Sequence, residues 1–364
     1  MKINAVVASA GPAFQLQAIE LDSPQADEIL VKIAGVGLCH TDLVFAASGA
    51  LELPAVLGHE GSGVVVSVGS SVTKVAPGDR VALSFRSCGA CDRCGSGDPA
   101  YCRTMPMLNY VGRRSDGSKS LSNDDGEISG NFFGQSSMAD HALTYERNVV
   151  KLPDDVPLEL MGPLGCGIQT GVGGVTRSLA ATPNSSILIL GGGSVGLSAV
   201  MGAVIAGCSR IVLAEPMAVR RELAIELGAT HTIDPTSSDL ATEVRALVPE
   251  GVDFAFDTTG IPQVLEAVPA CLGSKAVFGI VGIAPPGTPV PGDLMNMMTF
   301  GHTVKGIIEG DSDPDEFIPE LVELYKQGRL PFEKLVTTYP LADINQAIAE
   351  QAQGLCVKPV LLPD

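Results

Sequence analysis

Four cysteines fall within fifteen residues, at Cys88, Cys91, Cys94 and Cys102, on the turn-rich stretch Cys-Gly-Ala-Cys-Asp-Arg-Cys-Gly-Ser-Gly-Asp. Thiolates spaced this closely on a turn can converge on one tetrahedral point, and their softness suits Zn²⁺. A closed set of four leaves no open position, so the run reads as a structural zinc site that clamps a lobe, with any chemistry elsewhere. Two disulfides, or four unrelated core thiols, are the competing readings. The opening Met-Lys-Ile-Asn-Ala-Val-Val has no signal-peptide apolar region, which weighs against disulfides.

A chain of 364 residues, 45% of them hydrophobic, can bury a large core and favours two domains over one. A formal net charge of −18 repels phosphate backbones and anionic lipid, and no basic patch offsets it, so neither nucleic acid nor membrane is expected as a partner. The longest apolar tract, around Val195 to Cys208, is broken by glycines and too short to span a bilayer. The expectation is a soluble, cytoplasmic protein that works on a small molecule.

From Met1 to about Met161, short β-rich runs are broken by Gly, Pro and Asp: Glu28 to Ala34, Gly63 to Val68, Arg80 to Leu83 and Ala142 to Val150. From about Thr170 to Gly306, apolar runs alternate with helical stretches, the pattern of βαβ units on a parallel sheet. Strands are predicted at Ser186 to Leu190, Arg210 to Ala214, His231 to Ile233, Val252 to Asp257 and Lys275 to Val281, with a helix over Val219 to Leu227. A helix near Phe317 to Lys326 and a last strand at Val357 to Leu362 that rejoins the first domain follow. The polar stretch from Gly112 to Gly134 lacks periodicity and reads as a surface loop. The Met-rich segment Leu294 to Met298 reads as packing or an oligomer contact.

Gly191-Gly-Gly193-Ser194-Val195-Gly196 directly follows a predicted strand and opens an apolar helix, as the G-x-G-x-x-G dinucleotide turn requires. The first glycine permits the tight turn, the second lets a pyrophosphate approach the backbone, and the third lets helix and strand pack closely. Glu215 ends the next strand, where a carboxylate accepts from ribose hydroxyls and repels a 2′-phosphate. NAD is therefore expected over NADP, although Arg220 and Arg221 keep the alternative open.

Cys39, His59 and Cys166 form a possible second metal set. Two thiolates, one imidazole and a fourth position left to water or substrate make an open zinc arrangement suited to Lewis-acid catalysis. Their separation along the chain makes spacing alone a weak argument, because a buried Cys or a lone His is usually structural.

Gly-x-Cys39-His40-Thr41-Asp42, Gly58-His59-Glu60, the four-cysteine run, Gly165-Cys166-Gly167 and the glycine turn, in this order, resemble the zinc-dependent medium-chain alcohol dehydrogenases over essentially the whole chain. Within that family, Phe133-Gly-Gln-Ser-Ser, Ile308-Glu-Gly-Asp-Ser and Leu330-Pro-Phe-Glu-Lys-Leu are most similar to the aryl-alcohol (benzyl-alcohol) dehydrogenases, with geraniol-type enzymes close behind.

The resemblance implies an α/β chain. A GroES-like, β-rich catalytic domain would take residues 1–167 and 308–364, and a doubly wound Rossmann domain residues 168–307. It also implies two Zn²⁺ per subunit, NAD, a small alcohol or aldehyde substrate, and a homo-dimer or homo-tetramer. Cys39, His59 and Cys166 would hold the catalytic zinc, with Glu60 just behind it and Asp42 fixing the far nitrogen of His59. Thr41 would take the alcohol proton. His40 and Lys358 would face the pyrophosphate, Thr170 the nicotinamide, and Arg220 and Val281 would complete the cofactor contacts. Ser84, Phe85, Leu108 and Ile283 are expected near the pocket, and the strand near Lys275 to Ile283 at the pairing edge of the assembly. Val44 stands where many family members carry a histidine that ends the proton relay. Thr41→Val is thus expected to cripple oxidation, and Val44→His to change mainly its pH dependence. A polyol or glutathione-adduct dehydrogenase, and a non-catalytic nucleotide-binding protein, are the alternatives.

Overall fold

The computed structural model describes residues 1–11 and 13–363. It divides into two compact units: Met1–Gly167 with Asp313–Lys326 and Phe332–Asp364, and Ile168–Ser312 with Gln327–Pro331.

In the first unit the strand Glu28–Gly37 is almost wholly buried, because its Val and Ile side chains pack on both faces. It pairs antiparallel with Gly61–Val68, His141–Tyr145 and Lys358–Leu362, and register shifts at Leu30/Val31 and Ile33/Gly35 bend it. Val360 lies opposite Gly37 and Leu361 opposite Val36, so the distant strand Lys358–Leu362 ends up beside the segment that leads into Cys39. Gly37 has to be glycine: a Cβ there would lie 2.0 Å from Glu60 Oε2. Strands Lys2–Ala8, Gln15–Leu21, Leu121–Asn123 and Gly126–Ile128 belong to a second sheet.

The stretch from Gly112 to Gly134 is therefore not a surface loop. It supplies two strands of that sheet, and Leu121, Ile128, Phe132 and Phe133 are buried. Arg114 anchors it, meeting Glu28 through two hydrogen bonds (2.8 and 3.0 Å) and Asp22 through a third (2.7 Å). Arg114 is held inside because two carboxylates satisfy its guanidinium, while residues 115–117 and 124–127 stay exposed. The single run predicted from Ala142 to Val150 is two strands, His141–Tyr145 and Val149–Lys151.

The second unit carries a six-stranded parallel sheet in the order His231–Ile233, Arg210–Ala214, Ser186–Leu190, Val252–Asp257, Leu272–Ile280, Thr303–Gly306. Its central strands are buried on both faces, the expected state of a doubly wound sheet covered by helices. Leu188, Val212, Ala255, Phe278, Val244 and Leu265 share one core, in which burying Phe278 is worth about 2–3 kcal/mol.

One expectation is corrected here and another narrowed. Leu272–Ile280 is interior, paired on both sides, and the edge strand is Thr303–Gly306. The Met-rich segment forms the helix Leu294–Phe300, but Leu294 is 84% and Met298 71% exposed, so it is not core packing of this chain. Among the described residues no helix is long and apolar enough to cross a membrane.

Candidate metal centres and dinucleotide turn

Cys39 caps the helix His40–Ser48, and the capping geometry places Asp42 one turn in, wholly buried. Its carboxylate accepts from the Cys39 and Gly58 amides, both at 3.0 Å, and meets His59 Nδ1 at 2.9 Å. An acceptor-only carboxylate requires Nδ1 to carry the proton, which turns the Nε2 lone pair outward. That Nε2 is buried and has no hydrogen-bond partner among the described residues.

What faces it is sulfur. One ligand atom each from Cys39, His59, Glu60 and Cys166 lies within 4.8 Å of the others. A hydrogen bond from Cys166 holds the Cys39 thiol well below its ordinary range, against burial, with the His59 and Lys358 charges adding to it. Burial disfavours a charged imidazole, yet Asp42 and the Cys39 thiolate outweigh it and hold His59 well above its ordinary range. The centre thus attracts positive charge, and an orphaned imidazole nitrogen beside two sulfurs fits Zn²⁺.

Glu60 is closed off behind this centre. Its carboxylate takes Lys358 Nζ at 2.8 and 2.9 Å and the Gly167 amide at 3.1 Å. Lys358 gives its third donor to the Leu38 carbonyl at 3.1 Å and is 1% exposed. The three N–H donors of Lys358 are spent inside this unit, so the expected pyrophosphate role finds no free donor there.

Thr41 follows closely, its hydroxyl 3.6 Å from Cys39 Sγ, and His40 is exposed at the helix start. Ser84 and Phe85 are wholly buried, and Ser84 Oγ donates to the Gly165 carbonyl at 2.6 Å. Leu108 lines a cavity of about 360 Å³ beside Cys88, and Ile283 is half exposed in the other unit. Gln135 Nε2 donates to both the Ser84 carbonyl (3.1 Å) and the His59 carbonyl (2.9 Å).

The aromatic neighbours of His59 were not individually foreseen. Phe133 stacks on the imidazole with centroids 4.5 Å apart and planes at 25°, and Phe132 meets it edge-on at 5.6 Å. Phe45 and Tyr110 extend this group, each about 5 Å from one of the two phenylalanines. A signal existed: the chain has 11 Phe, 5 Tyr and no Trp, so two adjacent phenylalanines in a polar stretch stand apart.

The four-cysteine run also converges, with one sulfur from each of Cys88, Cys91, Cys94 and Cys102 within 4.8 Å of the rest. Separations of 3.9 Å (Cys88–Cys94) and 3.6 Å (Cys91–Cys94) are close to the roughly 3.8 Å edge of a tetrahedron with 2.3 Å Zn–S bonds. They are far too long for disulfides, and all nine cysteines are free. Amides of Ala90 and Cys91 point at Cys88 Sγ, and that of Cys88 at Cys102 Sγ, as anionic sulfur requires.

In the second unit Gly191 has φ of +95°, and a Cβ at Gly196 would lie 1.8 Å from the Gly191 carbonyl, so both need glycine. Around Gly193 nothing lies within 4 Å of a Cβ position, leaving the backbone open to a phosphate at the start of the helix Ser194–Ala206. Ser194 and Val195 are its first residues. Glu215 accepts from the Gly192 amide (2.6 Å) and the Met217 amide (2.9 Å), which fixes its carboxylate beside the turn. Arg220 packs near Gly192, whereas Arg221 is occupied by the Glu215 and Pro216 carbonyls. Val281 donates to the Asp257 carbonyl just past its strand. The Thr170 hydroxyl lies 3.4 Å from Glu309, whose carboxylate also takes Gln169 Nε2 at 3.0 Å.

Comparison with known proteins agrees with this geometry. Residues 25–154 match the family model described as alcohol dehydrogenase GroES-like domain, and residues 194–327 the model described as zinc-binding dehydrogenase. A geraniol dehydrogenase from Castellaniella defragrans is 45% identical over 360 residues, 98% of this chain and 96% of that protein. The crystal structure of an alcohol dehydrogenase zinc-binding domain protein from Burkholderia ambifaria is 46% identical with a TM-score of 0.97, covering 100% of both chains. That of benzyl alcohol dehydrogenase from Acinetobacter calcoaceticus is 42% identical, also over 100% of both, with a TM-score of 0.96. The chain belongs to the zinc-dependent medium-chain alcohol dehydrogenases.

Proposed function

We propose that this dehydrogenase reversibly oxidises a primary aromatic or allylic alcohol to its aldehyde, with zinc at Cys39, His59 and Cys166 and NAD as hydride acceptor. The observation that carries the reading is His59 Nε2, buried with no hydrogen-bond partner among the described residues and facing two sulfurs amid aromatic side chains. When bound, zinc would supply Lewis acidity toward an alcohol oxygen, and the nicotinamide the hydride acceptor. The chain's own residues do the remaining work. Asp42 holds the imidazole in one tautomer. Thr41, beside Cys39, accepts the alcohol proton, and His40 stands next along the helix to pass it on, since Val44 cannot.

Phe132 and Phe133 support an apolar aromatic or allylic substrate, and the resemblance to a geraniol dehydrogenase and a benzyl alcohol dehydrogenase points the same way. A polyol or a glutathione adduct would need polar or basic groups at that place. The fixed Glu215 carboxylate, with Arg221 already engaged, favours NAD over NADP. Nine free cysteines fit the reducing cytoplasm. The exposed edge strand Thr303–Gly306 and the apolar helix Leu294–Phe300 fit a homo-oligomer.

The test is the absorbance of reduced nicotinamide with benzyl alcohol, geraniol, glycerol and S-hydroxymethylglutathione, using NAD and NADP in parallel, before and after chelation. Benzyl alcohol or geraniol with NAD should give the fastest, chelator-sensitive trace. Turnover that survives removal of both metals would end the proposal.

A further inference from the structure

Phe133 sits in a backbone conformation that a bulky side chain avoids, with φ of 51° and ψ of 29°. Glycine would adopt it freely, and Gly134 at φ of +65° does so next in line. The turn is held in place from several sides. Asn148 Nδ2 donates to the Phe133 carbonyl (2.7 Å) and the Ser84 carbonyl (2.8 Å). Gln135 Nε2 donates to the His59 carbonyl (2.9 Å), while its Oε1 accepts from the Gly61 amide (3.1 Å). Ser136 Oγ accepts from the Phe132 amide and donates to the Val56 carbonyl. All these groups are buried, so the surroundings fix the turn whatever residue occupies position 133. What the aromatic ring adds is its face on His59.

We infer that Phe133 is a positioning residue for the metal centre: its ring fixes the plane of the His59 imidazole, while Asp42 fixes only its Nδ1 edge. The inference rests on the zinc reading of Cys39, His59 and Cys166. With the hydrogen bond at 2.9 Å on one edge and a stacked ring 4.5 Å from the face, the imidazole can neither rotate nor tilt freely. An imidazole that ligates a dication carries partial positive charge, which the face of a phenyl ring attracts. Both effects aim and strengthen the Nε2 lone pair without Phe133 offering the metal a ligand atom.

The test uses fully loaded protein and its Phe133→Leu and Phe133→Tyr variants. Transfer of zinc to a chromophoric chelator is followed in each, and the visible spectrum is recorded after cobalt replaces zinc at the buried site. The four-cysteine zinc is the internal control, identified with Cys166→Ser protein, which keeps only that site. Phe133→Leu should release the buried zinc about tenfold faster, the scale seen when a group supporting a metal ligand is lost. Its cobalt bands should shift while release from the four-cysteine site stays unchanged, and Phe133→Tyr should match the parent. Unchanged release and spectrum in Phe133→Leu overturn the inference, as does equal acceleration at both sites. A parent that loads metal only at the four cysteines defeats the zinc reading itself, and so is told apart from a failure at Phe133 alone.

Discussion

The two sulfur sites share an element and little else. The four-cysteine site draws its ligands from one short turn; Cys88 is exposed and backbone amides do most of the support. The site at Cys39, His59 and Cys166 draws on three distant segments, lies buried, and is supported by charges: Asp42 on His59, and Lys358 against Glu60. A turn can gather thiolates by local geometry, and water helps to carry the charge. An open, buried centre has to be aimed by side chains that are themselves held, because every unpaired charge there is costly. On the function proposed above, one site is a fastening and the other an instrument.

The largest effect should separate these roles outright. His59→Ala removes a ligand from the open site and should lower turnover on the order of a thousandfold, while elemental analysis still finds the four-cysteine zinc. Equal loss of both metals would break the comparison. Lys358→Met leaves the Glu60 carboxylate buried without its cation, and denaturant unfolding should show a loss of about 3–5 kcal/mol, largely recovered by adding Glu60→Gln. Cys94→Ser should lower the thermal midpoint by roughly 5–10 °C and open residues 88–102 to proteolysis, with activity in the cold reduced far less than in His59→Ala. Asp42→Asn should weaken zinc at the buried site by about 10–100-fold in a competition titration and leave the other site untouched.

The smallest effect concerns pH in protein stripped of metal only at the buried site. His59, raised when folded, contributes stability that is fully present below about 6.5 and lost as pH rises through its folded value. Cys39, lowered when folded, contributes stability present above about 8.5 and lost as pH falls through its folded value. The two trends offset between those limits. The thermal midpoint should therefore hold a plateau from about pH 6.5 to 8.5 and decline on either side. A steady slope across that window would mean that the two groups do not titrate as a facing pair.

What could be read in the chain follows the same division. The four-cysteine run and the glycine turn are local, since spacing along a turn and a strand-turn-helix order are properties of neighbouring residues. The parallel-sheet strands were legible for the same reason: Ser186–Leu190 and Val252–Asp257 are apolar runs bounded by turn residues. Cys39, His59 and Cys166 carry no such mark, and only their resemblance to a family joined them. The polar stretch from Gly112 to Gly134 reads as a surface loop because the burial of Arg114 depends on Glu28, far away in sequence. The Lys358–Glu60 pair escaped notice for a similar reason: strand pairing of Val360 with Gly37 creates it, and local pattern says nothing of that register. Phe133 was visible as a residue but not as a partner of His59.

The pairing of Lys358 with Glu60 spans 298 positions. A ribosome reads the message in one direction, so the carboxylate is made long before the ammonium that neutralises it. Until translation has passed the Rossmann segment and reached Lys358, the pocket behind Cys39 holds an anion with no mate and cannot settle. Assembly of the open centre is thus a late event in the life of a nascent chain, whereas the four-cysteine turn can capture its ion as soon as Cys102 leaves the exit tunnel.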